Sequence, residues 1–90
     1  IAYEPVWAIG TGLTASSEKI NKLHIFIRKI LRKLFDDKES KNTPILYGGS
    51  VNSANANELI SIDGVNGFLI GGASLDVVKF SEVVKIVNDQ

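Results

Sequence analysis

The sequence contains no cysteine and no methionine, a single histidine and tryptophan, and two prolines. Without cysteine there is no disulfide framework and no thiolate metal site, and a reducing compartment is permitted. His24 alone cannot build a zinc site. The charge balance lacks a dominant sign: ten Lys plus Arg offset ten Asp plus Glu. A nucleic-acid binder or a protein of anionic membrane surfaces would carry a basic excess, so neither class fits. No apolar run approaches the ~18 residues that a membrane-spanning helix needs. The absence of methionine and the apolar opening Ile1-Ala2-Tyr3 read as the interior of a longer polypeptide.

What is present is a globular composition, 44% hydrophobic and 22% charged over 90 residues. That length allows one small domain at most. The first segment reads as a strand ending at Glu4, because the residue before Pro5 is pushed toward extended geometry. Residues 5–15 are apolar and punctuated by glycine, a loop or a second strand with a turn. Ser16 or Ser17 can cap a helix over 18–35, where Ile20, Leu23, Ile27, Ile30, Leu31 and Leu34 recur at spacings of three and four. The basic residues on its other side read as a solvated face. Residues 36–42 are expected to be a solvated loop.

A buried-type strand, Pro44-Ile45-Leu46-Tyr47, is expected to stop at Gly48-Gly49-Ser50. A short helix over 54–60 ends near Gly64. Phe68-Leu69-Ile70 gives a third strand, stopped by Gly71-Gly72, and residues 76–88 a last helix capped by Asp76. Strand and helix alternate three times, so the fold class is α/β with parallel strands and crossover helices.

The three strands end in unusual residues: Glu4, then Gly48-Gly49-Ser50, then Gly71-Gly72-Ala73-Ser74. Parallel α/β folds bind ligands at those carboxyl ends. Glycines there expose backbone N–H groups to a ligand, and a short helix beginning at Gly72 would favour an anion such as phosphate. Tight βα turns are the plainer explanation of any one glycine pair. Glu4 reads as either a catalytic base, tuned by partial burial to take a proton near neutrality, or one half of a rim salt bridge. Gly10-Thr11-Gly12-Leu13-Thr14-Ala15 also fits the dinucleotide pattern G-x-G-x-x-G/A. Against that oxidoreductase reading, the next strand ends in Gly-Gly-Ser where a ribose-binding acid should stand. His24, on a helix flank away from the strand ends, reads as a packed or surface histidine.

Three segments together resemble one family. Ala2-Tyr3-Glu4-Pro5-Val6-Trp7-Ala8-Ile9-Gly10-Thr11-Gly12, Tyr47-Gly48-Gly49-Ser50-Val51 and Phe68-Leu69-Ile70-Gly71-Gly72-Ala73-Ser74-Leu75 look like successive signatures of the triosephosphate isomerases, in order and at the right spacing. The resemblance implies a TIM (β/α)₈ barrel, with residues 1–90 as the C-terminal part of that single domain, its last three βα units. It implies Glu4 as the catalytic base that moves a proton between carbons of a triose phosphate, in glycolysis and gluconeogenesis. Gly10, Ser50, Gly71 and Gly72 would bind the substrate phosphate. Residues from Pro5 to Ala15 would form a closing lid, supported by Tyr47 near Ala15 and by Ser50 near Gly12. Eleven residues is long for a βα loop, usually about 2–6, which suits a lid.

The implied enzyme needs no metal and no organic cofactor, works in the cytoplasm and is a homodimer. It has no nucleic-acid or membrane partner. Its Asn-x-Lys segment and catalytic His belong to an upstream barrel segment, so the 90 residues alone are expected to be inactive. Two departures stand out. Leu13 occupies a lid hinge where relatives often have Lys. Asn66 stands where many have Asp, so a partner such as Arg28 would meet a neutral acceptor there. The alternatives carried beside this reading are a dinucleotide-binding oxidoreductase segment and a non-catalytic phosphate-binding module.

Overall fold

The computed structural model describes residues 1–6 and 16–90. Three parallel strands form one sheet in the order β1 (Ala2–Tyr3), β2 (Leu46–Gly49), β3 (Gly67–Ile70). Between β1 and β2 lie α1 (Ser17–Leu34) and α2 (Asp37–Asn42). Helix α3 (Ala56–Ile60) precedes β3, and a 3₁₀ turn (Gly72–Leu75) leads into α4 (Val77–Asn88). The alternation expected from the sequence therefore holds, with neighbouring strands joined through helices.

The register sorts the side chains onto two faces, because alternate residues of a strand point to opposite sides. Tyr3, Tyr47 and Phe68 lie in one register row and share a face. That face is covered by helices: Tyr47 packs in a buried cluster with Ile20 of α1, Ala56 and Leu59 of α3, and Val83 of α4. The opposite face carries Ala2, Leu46, Gly48 and Leu69 and is largely uncovered, with Leu69 44% exposed.

Five local expectations change. Residues 36–42 are not a loop, for α2 occupies them. Asp36 Oδ1 accepts from Glu39 N–H at 2.7 Å, and Thr43 Oγ1 donates to Glu39 O, so both ends are capped. The signal was an acidic cap followed three residues later by Glu39. Gly48 and Gly49 do not stop β2. They are its last two residues, paired with Leu69 and Ile70. Pro44 and Ile45 lie before the strand, and α3 begins at Ala56 because Asn52 and Asn55 first close a turn. The apolar stripe of α1 is only partly covered: Ile20 and Leu31 are buried, whereas Leu34 is 69% exposed.

Arg28 ties α1 to the region before both later strands. Its Nη1 donates to the carbonyls of Ser40 and Thr43, and its Nη2 donates to Asn66 Oδ1 at 2.8 Å. The same Oδ1 accepts from Ile45 N–H at 2.9 Å. The pairing of Arg28 with a neutral acceptor at position 66 is as expected from the sequence. It fixes where β2 and β3 begin, and so where their carboxyl ends arrive.

Candidate active site

The carboxyl ends of the three strands meet at one open cavity of about 890 Å³. Glu4 follows β1 directly, Gly49 and Ser50 close β2, and Gly71 and Gly72 follow β3; all five line it. Four predicted site residues from three separate segments, Glu4, Ser50, Gly71 and Gly72, are thus brought together. Leu69, Asp76, Lys79 and Glu82 line the same cavity, and the sequence reading does not name them as site residues. The last three sit at the start of α4, one helical turn apart. Only the sheet register and the 3₁₀ turn aim them inward.

Glu4 is exposed, so the partial burial expected of it does not hold here. The uncovered face of the sheet leaves its carboxylate in water. Among the described residues no ion pair to Glu4 is found. Gly71 and Gly72 border open space: a Cβ at either would meet nothing within 4 Å. No packing within the described chain demands glycine there, which leaves room for a ligand to approach the backbone. The 3₁₀ turn is held by Ser74, whose N–H and Oγ both donate to Gly71 O. Asp76 caps α4 by accepting from Lys79 N–H at 3.0 Å. At the end of β2, Asn55 Nδ2 donates to Ser50 O at 2.7 Å and fixes that backbone.

Tyr47 does not line the cavity. It is fully buried under the helices, and its ring runs along the strand so that a Cβ on Gly49 would fall 2.6 Å from its Oη. The hydroxyl therefore reaches the carboxyl end of β2 from the helical side. Gly10, Gly12, Leu13 and Ala15 lie outside the described residues, as does the dinucleotide-like pattern that contains them.

His24 is a packed histidine, as the sequence suggests. It is fully buried between Tyr3 and Tyr47, with ring centroids 6.2 and 6.3 Å away. Its Nδ1 lies 3.2 Å from Gly64 O. Burial holds its pKa below the usual histidine value; the Gly64 hydrogen bond opposes that shift, and the Arg28 charge adds to it.

Parallel strands, crossover helices and an open cavity at the strands' carboxyl ends define an α/β protein with a candidate ligand site at one end of the sheet. The comparisons carry this further. The family model described as triosephosphate isomerase matches residues 1–87. A triosephosphate isomerase of Francisella tularensis subsp. mediasiatica (strain FSC147) is 53% identical over 88 residues, covering 98% of this chain and 34% of the relative. The triosephosphate isomerase of Thermodesulfovibrio yellowstonii is 51% identical over 85 residues, covering 94% and 34%. That of Legionella pneumophila (strain Lens) is 49% identical over 88 residues, covering 98% and 35%. The chain belongs to the triosephosphate isomerase family, which sets aside the dinucleotide-binding reading. It spans about a third of the length of the curated relatives it matches.

Proposed function

We propose that this chain forms the last three βα units of a (β/α)₈ barrel and supplies the base and phosphate seat for interconverting dihydroxyacetone phosphate and glyceraldehyde 3-phosphate. One observation carries the reading: Glu4, Ser50, Gly71 and Gly72 line a single cavity at the carboxyl end of a parallel sheet. That end is where barrel enzymes hold their chemistry. The Glu4 carboxylate removes a proton from the carbon beside the substrate carbonyl, which leaves an enediolate. The hydroxyl proton passes to the former carbonyl oxygen, and the resulting carboxylic acid returns its proton to the neighbouring carbon. The N–H groups of Gly71 and Gly72, with Ser50, hold the phosphate away from the reacting carbons. Binding energy there is available to keep a lid closed over the site.

Residues 5–15 form that lid, with Tyr47 and Ser50 as its supports near Ala15 and Gly12. Closure excludes water, strengthens the electrostatics around Glu4 and protects the enediolate. The electrophile that polarises the carbonyl comes from an upstream segment carrying Asn-x-Lys and a His, so residues 1–90 alone turn over no substrate. The uncovered sheet face, with Leu69, and the exposed Val77, Val78 and Val84 of α4 then face the rest of the barrel. The complete enzyme is a cytoplasmic homodimer.

The test is a chimera in which this chain replaces the matching third of the Francisella tularensis relative. It should isomerise glyceraldehyde 3-phosphate, while the isolated 90 residues should not. Within the chimera, Glu4→Asp withdraws the carboxylate by one methylene and should lower kcat by about 10²-fold or more. A near-normal rate for Glu4→Asp, or turnover by the isolated chain, would overturn the assignment.

A further inference from the structure

The Glu4 carboxylate can act only if its stem is held, and the residue that makes room for that stem lies on another strand. The register pairs Ala2 with Leu46 and Tyr3 with Tyr47, so Glu4 and Gly48 come next, on the uncovered face. A Cβ built on Gly48 would lie 2.5 Å from Glu4 Cγ, 3.3 Å from its Cδ and 3.6 Å from its Cβ. The whole stem therefore rests on the bare α-carbon of Gly48, which is buried although Glu4 itself is exposed. The backbone does not ask for glycine here, since Gly64 is the only glycine with positive φ among the described residues. Space is what the position requires.

We infer that Gly48 is a positioning residue: its missing side chain seats Glu4 so that the carboxylate faces the cavity shared with Ser50, Gly71 and Gly72. This rests on the reading of Glu4 as the base. The backbone at Glu4 has little freedom to adjust, because Pro5 follows it, is buried, and confines it to extended geometry. A methyl group at position 48 would therefore push the stem sideways. Among the described residues nothing confines the side chain on its far side, so the stem can swing aside, and that moves the carboxylate off its line to the substrate. The part of the phosphate seat at Gly71 and Gly72, at the end of β3, is untouched.

The experiment uses the chimera described above, with Gly48→Ala, Glu4→Gln, the two together, and Glu4→Ala with and without Gly48→Ala. The inference expects Gly48→Ala to lower kcat by about 10²-fold with KM for glyceraldehyde 3-phosphate nearly unchanged. It expects no further loss from Gly48→Ala once Glu4→Gln has removed the base, because the glycine acts only through Glu4. Should Gly48→Ala lower the melting temperature, the drop should vanish in the Glu4→Ala background, where the colliding atoms are gone. Normal kcat for Gly48→Ala beside an inactive Glu4→Gln would overturn the seat and leave the base standing. Additive losses in the double variant, or a melting-temperature drop that persists without the Glu4 side chain, would also overturn it. An active Glu4→Gln would instead sink the base itself.

Discussion

Asn66 offers the most direct test of how the strand ends are fixed. Its Oδ1 holds two donors, Ile45 N–H at 2.9 Å and Arg28 Nη2 at 2.8 Å. Ile45 is fully buried, so Asn66→Ala strands its N–H away from water. An unsatisfied buried donor costs about 1–3 kcal/mol. Arg28 keeps the carbonyls of Ser40 and Thr43 and reaches solvent, so its loss adds only about 0.5–1 kcal/mol. The sum is about 1.5–4 kcal/mol. For a domain of the relatives' size that corresponds to a fall of roughly 3–16 °C in melting temperature. Asn66→Asp keeps an acceptor for Ile45 and adds a charge opposite Arg28. Position 66 is exposed, so screening limits the gain to about 0.5–1 kcal/mol, and added salt should erase part of it. Thermal unfolding of the two chimeric variants at low and high salt measures both. If Asn66→Ala and Asn66→Asp shift stability in the same direction, or if Asn66→Ala costs nothing, Oδ1 is not the hinge between the two strands.

Two further outcomes follow from the packing around α1. His24 has a lowered pKa when folded, so between that value and about 6.5 the unfolded chain binds more protons; stability should fall as pH drops below about 6.5. His24→Phe should flatten that slope in urea titrations at pH 5 to 8, and an unchanged slope would show that His24 does not set it. Gly64 has φ +97°, and a Cβ there would lie 3.3 Å from His24 Cβ, so Gly64→Ala should destabilise by about 1–2 kcal/mol. A neutral effect in the same unfolding assay would refute the strain at that turn.

Much of the fold was legible in the residues. The stripe from Ile20 to Leu34 placed α1 to within a residue at each end. Asp76 was found as the cap of α4, and its side chain accepts from Lys79 N–H. What misled was local chemistry that serves two purposes. Charged, polar residues 36–42 read as loop, yet the Asp36 cap and Glu39 close a helical turn. Gly48 and Gly49 read as strand breakers, yet parallel pairing with β3 carries the strand through them.

The site divides in the same way. Sequence by itself determined the strand-end part of the cavity: a carboxylate after one strand, a serine after glycines on the next, and a glycine pair after the third. It also determined the family, because those segments stand in order along the chain. Only the tertiary structure decided that Glu4, Ser50, Gly71 and Gly72 border the same space, and that Tyr47 stands on the other face of the sheet. The reason is register. Strand pairing assigns each side chain a face and a neighbour, and a slip of one residue would exchange the two faces. Glu4 meets the bare α-carbon of Gly48 through that pairing, a relation between residues more than forty positions apart that no local pattern encodes.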